Sequence, residues 1–131
     1  MKKKVKIIGS GTHSSVVIEC ALQLKYKIQC IVDINSNNPN KEKKMGIRIV
    51  GRKEINSLKT GELIFLAIGD NKIRTDFFKL LNKKNLKFIN LVSPSSFVSN
   101  YSKLGKGVFV NNNSIINSRA NLEDNCIINS G

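Results

Sequence analysis

The units Val98-Ser-Asn-Tyr-Ser-Lys, Leu104-Gly-Lys-Gly-Val-Phe, Val110-Asn-Asn-Asn-Ser-Ile, Ile116-Asn-Ser-Arg-Ala-Asn, Leu122-Glu-Asp-Asn-Cys-Ile and Ile128-Asn-Ser-Gly131 decide the fold. The aliphatic anchors Val98, Leu104, Val110, Ile116, Leu122 and Ile128 return every six residues. Ser102, Val108, Ser114, Ala120 and Cys126, all small or β-branched, follow the first five anchors by four positions. A helix repeats near 3.6 and a half-buried strand at 2, so neither produces this spacing. A fixed internal period marks units too small to bury their own apolar face, which must stack on neighbours. Six residues make one flat side of a prism and three sides close a coil, with the anchor filling the centre and the small residue letting the chain turn the corner. Alternating antiparallel strands are the competing reading, but period two gives no reason for a small residue at every sixth position. The prism predicts Leu122 pointing inward and Asn121 outward, and the many Asn suit its corners because Asn tolerates left-handed backbone.

This period resembles the hexapeptide repeat of the left-handed parallel β-helix. Upstream the pattern changes. Residues 4–8 read as a buried strand, followed by the turn Gly9-Ser10-Gly11-Thr12-His13-Ser14-Ser15 and an amphipathic run through Val16, Val17, Cys20, Ala21 and Leu24. Strand, Gly-rich turn and helix is the order that aims backbone N–H groups at a phosphate, although Ser14 stands where a third Gly of the dinucleotide motif would be. Residues 28–32 form a second strand with Asp33 at its carboxyl end, where an acidic side chain commonly bonds a ribose hydroxyl. A solvated turn carboxylate is the plainer account of Asp33. Residues 34–44 read as a polar loop, 47–50 as a short strand and 52–58 as a short helix.

Residues 63–67 make a third strand without a polar break, as in a parallel strand covered on both faces. It enters Gly69-Asp70-Asn71, then a helix over 72–83 with Ile73, Phe77, Leu80 and Leu81 on one face. Residues 88–91 supply a last strand, and Ser93-Pro94 precedes the repeats. Alternating strands and helices predict an α/β fold, a small Rossmann-like parallel sheet at residues 1–92. The start of the β-helix occupies 93–131. The ligand crevice of such a sheet lies outside the carboxyl ends of its strands, where Gly9, Asp33 and Gly69 fall.

The 131 residues fit one domain or one domain plus an appendage. No apolar run approaches the roughly 18 residues of a membrane span, and no cleavage pattern follows the Met-Lys-Lys-Lys start, so a cytoplasmic location is expected. Cys20, Cys30 and Cys126 show no metal or redox spacing and are read as reduced core thiols; no metal site is expected. The net charge of +13 raises nucleic acid as a partner. The Lys residues are scattered through every segment and the aromatics form no stacking motif, so no specific nucleic-acid surface is expected, while the charge favours a phosphorylated small ligand.

The two halves together resemble the bacterial sugar acetyltransferases that include UDP-4-amino-sugar N-acetyltransferases and sialic acid O-acetyltransferases. Residues 7–17 resemble that family's opening Gly-rich turn, Ala67-Ile68-Gly69-Asp70-Asn71-Lys72-Ile73-Arg74 matches its second turn, and Leu91-Val92-Ser93-Pro94-Ser95-Ser96 resembles its junction. Thr12 replaces a usual Gly, Ser15 a usual Lys or Arg, and Ser93 a frequent His. The resemblance implies a nucleotide-sugar site in which Gly9, Ser10, Gly11, Thr12, His13, Ser14, Gly69, Asn71 and Arg74 hold diphosphate and sugar and Asp33 contacts the uridine. It also implies acetyl-CoA as co-substrate, a homotrimer built through the β-helix, and acyl transfer to an amino or hydroxyl group.

No catalytic residue is expected in the chain itself, because the family's general-base His would fall just beyond Gly131 and Met1 to Gly131 combines no activatable base with an oxyanion site. A non-catalytic sugar-nucleotide-binding protein or vestigial fragment, and an NAD-binding protein, are the alternatives.

Overall fold

The computed structural model describes residues 2–129; Met1 and the last two positions of the final expected unit lie outside the described residues. The first half is a six-stranded sheet in the order β3-β4-β2-β1-β5-β6. Its strands are β1 (Lys4–Ile8), β2 (Lys27–Val32), β3 (Lys43–Lys44), β4 (Ile47–Val50), β5 (Leu63–Leu66) and β6 (Lys87–Phe88). Helix α1 (Thr12–Gln23) covers one face and α2 (Asn71–Asn82) with the 3₁₀ turn Arg52–Ser57 the other. The two-residue period of a strand sorts the core. Val5, Ile7, Ile31 and Phe65 pack with Val17, Ile18 and Ala21 of α1, whereas Ile8, Cys30, Val32, Ile64 and Leu66 pack with Phe77 and Leu81 of α2. Burial on both faces is why β5 carries no polar residue.

The sheet is parallel except at one edge, where β3 runs antiparallel to β4 with Lys44 opposite Ile47. The expected polar loop therefore ends in a hairpin. Its two-residue connection, Met45-Gly46, has positive φ at both positions (52° and 78°), the twist such hairpins favour. Met is not a turn-forming residue, so nothing in its identity announces this.

The second half is the prism. Strands β7 (Leu91–Val92), β10 (Phe109–Val110) and β13 (Ile127–Ile128) stack on one side, β8 (Phe97–Val98) and β11 (Ile115–Ile116) on the second, β9 (Lys103–Leu104) and β12 (Asn121–Leu122) on the third. All pairs are parallel, with Leu91 beside Phe109 beside Ile127, so each coil takes eighteen residues, three units of six. Val92, Val98, Val110, Ile116, Leu122 and Ile128 fill the centre with Val108, Ala120 and Cys126. Leu122 points inward and Asn121 is exposed, in the predicted register. Left-handed backbone recurs with the same period, at Gly107, Asn113, Arg119 and Asn125.

The expected strand over 88–91 is two strands in two sheets. Phe88 pairs with Ile64 in the sheet, but Leu91 pairs with Phe109 in the prism. Asn90 makes the switch: its amide donates to Gly105 O (2.9 Å) and its Oδ1 accepts from Val108 N (2.8 Å), supplying bonds that a continuing ladder would have made. The outward residues Leu91 and Phe109 are fully buried against the α1 side of the sheet, with Ile127 packed beside them. The prism thus docks by one face. No helix among the described residues is long and apolar enough to cross a membrane.

Candidate functional site

β1 and β5 end side by side, and the chain leaves each through a turn into a helix. At the first turn Gly9 has φ +116°, donates its N–H to Val32 O (2.8 Å), and leaves no room for a Cβ, which would lie 2.6 Å from Ala67 O. Only Gly satisfies both conditions. Helix α1 then begins at Gly11 without a side-chain cap and without an acidic residue in its first turn, so its positive end is not neutralised by the chain. Ser14 lies behind the turn, buried, its hydroxyl donating to Gly11 O (2.6 Å).

The second turn is built oppositely. Asp70 caps α2 by accepting from Ile73 N (2.9 Å). Arg74, expected to reach a phosphate, turns back into the protein: its guanidinium donates to Ile68 O (3.0 Å), Gly69 O (3.3 Å), Asn71 Oδ1 (2.8 Å) and Asn125 O (3.3 Å). Burial lowers its pKa, against which the nearby Cys126 and Asp70 act.

Between the turns lies a cleft of about 520 Å³. Gly9, Ser10, Gly11, Thr12, His13 and Gly69 all line it, joined by Ile68 and Ile73 of the second-turn stretch and by Ile34 and Asn35, which the sequence did not single out. His13 stands edge-on to Phe109 of the prism, ring centroids 5.5 Å apart, and its Nε2 is buried without a hydrogen-bond partner. Desolvation, and then the Arg74 charge, hold its pKa below the ordinary 6.5, so the imidazole is neutral near pH 7.

Asp33 does not face this cleft. It lines a neighbouring one of about 520 Å³ that shares Ser10 and is otherwise walled by Pro39, Asn40, Lys41, Lys43, Lys44, Met45 and Ile49, while its Oδ1 accepts from Asn35 N (2.8 Å). Ser14, Asn71 and Arg74 stand behind the cleft wall, where they shape it. Lys44 was missed altogether. Its ammonium reaches Gly11 O (2.7 Å), Ser14 Oγ (2.7 Å) and Ser10 O (3.2 Å), joining the edge hairpin to the first turn. Burial and then Lys41 pull its pKa down, and nothing in its local sequence sets it apart among the 22 Lys and Arg residues of the chain. A cation and an uncapped helix start therefore meet at one turn, an arrangement suited to an anion.

The model of the PglD N-terminal domain matches residues 4–81, more than half of the chain. Among solved structures, the chain is similar to perosamine N-acetyltransferase from Caulobacter crescentus, in complex with CoA and GDP-perosamine, at 30% identity and TM-score 0.80, covering 95% of this chain and 59% of that one. It is similar also to the acetyltransferase domain of PglB from Neisseria gonorrhoeae, in complex with acetyl coenzyme A, at 27% identity and TM-score 0.83, over 97% and 62% of the two chains. An uncharacterised protein of Acanthamoeba polyphaga mimivirus is 29% identical over 120 residues, 92% of this chain and 24% of its own length. The chain spans about three fifths of the length of the solved structures it matches.

Proposed function

We propose, from the premise that the chain belongs to the PglD N-terminal domain family, that it is the nucleotide-sugar-binding portion of an acetyl-CoA-dependent sugar acetyltransferase. One observation carries the reading: the cleft at the carboxyl ends of β1 and β5 is walled by the uncapped, Lys44-supported first turn of α1. On this reading the backbone of residues 9–13 receives the diphosphate, His13 and Gly69 border the sugar, and the Asp33 cleft takes the nucleoside. Ser14, Asn71 and Arg74 act by holding the walls. The division into a binding unit and a repeat unit, expected at 92/93, belongs to the same proposal with its boundary at Asn90, because Leu91 and Val92 already stack in the prism.

Attack of an amine or hydroxyl on the acetyl thioester needs a base to take the acceptor's proton. His13 is the only histidine, and with its Nε2 buried it does not fill that role in this geometry. Residues 2–129 bind and orient the acceptor, and acetyl-CoA supplies the acetyl group. Self-association through the prism, as a homotrimer, is supported by the outward residues of its second side: Phe97 is 59% and Ile115 68% exposed. The free thiols of Cys20, Cys30 and Cys126 fit a reducing compartment such as the cytoplasm.

Titration calorimetry of the chain with UDP-linked and GDP-linked 4-amino sugars and with NAD tests the assignment. One of the two sugar nucleotides is expected to bind more tightly than NAD. Tighter NAD binding, or no sugar-nucleotide binding, sinks it.

A further inference from the structure

We propose that Arg74 is a positioning residue that locks the wall of the nucleotide-sugar cleft to a corner of the prism, so that the bound acceptor and the coil keep a fixed relation. This rests on the sugar-nucleotide reading of the cleft. Arg74 is 7% exposed, and none of the ion pairs among the described residues involves it. A buried cation without a carboxylate is costly, and one in the first turn of a helix faces the positive end of the macrodipole. Helix stability therefore does not account for it.

Its hydrogen bonds do. Ile68 and Gly69, whose carbonyls it holds, line the cleft; Asn71 begins α2; and Asn125 sits at a prism corner with φ 65°. Four acceptors on three elements are spanned by one planar fork of five donors. Lys offers three donors on a single atom and cannot reach them together. Asn125 itself is tied into the coil through its N–H to Lys106 O (2.9 Å), and the next residue's carbonyl accepts from Phe109 N (2.9 Å), the residue whose ring meets His13. The link thus closes a loop: cleft wall, Arg74, corner, Phe109, cleft wall.

Amide exchange followed by NMR on the full chain, wild type against Arg74→Lys, tests the lock without ligand. The amides of Asn125 and Phe109 are expected to exchange about tenfold faster in the variant, a change equivalent to one lost charge-assisted hydrogen bond. The amide of Ser99, bonded to Ile116 O on another side of the prism, is expected to stay within about twofold. Equal exchange in both proteins, or uniform acceleration at all three amides, overturns the proposal, since a general loss of stability gives the uniform pattern. Should Arg74→Lys fail to fold, Asn71→Ala removes one anchor and keeps the guanidinium, and the same selective pattern is expected at smaller amplitude. In wild type that binds a sugar nucleotide, Arg74→Lys is expected to weaken binding about tenfold. Wild type that binds none overturns the reading of the cleft, while the exchange pattern still decides the lock.

Discussion

The turn after β1 and the turn after β5 share an architecture and differ in what occupies them. The first ends in an uncapped helix start with a lysine ammonium drawn in from a hairpin 33 residues away. The second ends in a helix capped by its own Asp70 and clamped by its own Arg74. An N-terminus already satisfied by a carboxylate has little left to offer an anion, whereas an open one does. Similar strand–turn–helix patterns therefore end differently: one helix start is left open and the other is closed by its own side chains.

The sharpest way to break this comparison is at the glycines. Gly9→Ala places a methyl against Ala67 O at a φ that L-residues rarely adopt, and is expected to cost about 3 kcal/mol in urea-unfolding stability. Gly11→Ala meets nothing within 4 Å and is expected to cost under about 1 kcal/mol. Equal losses at the two positions would mean that the Gly9 approach is not fixed. Next comes Asp70→Ala, which removes the cap of α2 and is expected to lower stability by about 1 kcal/mol, read as a shift in the urea midpoint at constant slope. An unchanged midpoint would show the second turn to be as open as the first.

The smallest effect joins the two turns. His13 is the chain's single histidine, so its imidazole signals titrate alone in a proton NMR spectrum. Burial, and then the Arg74 charge of the opposite turn, put its midpoint below 6.5. The unfolded chain takes up the proton first. The stability that the neutral ring contributes is therefore present above about pH 6.5 and lost as pH falls from there through the folded value. A midpoint at or above 6.5 would remove His13 from the buried wall.

The six-residue period made the prism legible because inward anchors and corner residues repeat in the sequence as they do in space. Strand β5 was legible because a strand covered on both faces is apolar throughout, and β1 and β2 because each ends in a run of aliphatic residues, Ile7-Ile8 and Ile31-Val32. Gly9 was readable as a turn glycine. Arg74 was readable only as a charge, because the carbonyls it holds, those of residues 68, 69 and 125, are backbone groups with no side-chain signature. Asp33 was placed correctly at the end of β2, but which of two clefts it faces depends on the Met45-Gly46 hairpin, and that depends on a backbone twist rather than on a residue type. Lys44 reaches its partners across about thirty residues of chain, beyond any local pattern.

Inside, the three sides of the prism are alike; outside they are not. One carries Leu91, Phe109 and Ile127 into the sheet unit, the second shows Phe97 and Ile115, and the third shows Lys103 and Asn121. Length changes in this region are consequently governed by two different counts. An insertion of six residues between β7 and β8 keeps every anchor in the interior yet rotates the coil that follows by a third of a turn. It would bring the polar side, led by Lys103, to the place where Phe109 now meets His13. An insertion of eighteen restores both. The interior reads the sequence in sixes and the exterior reads it in eighteens.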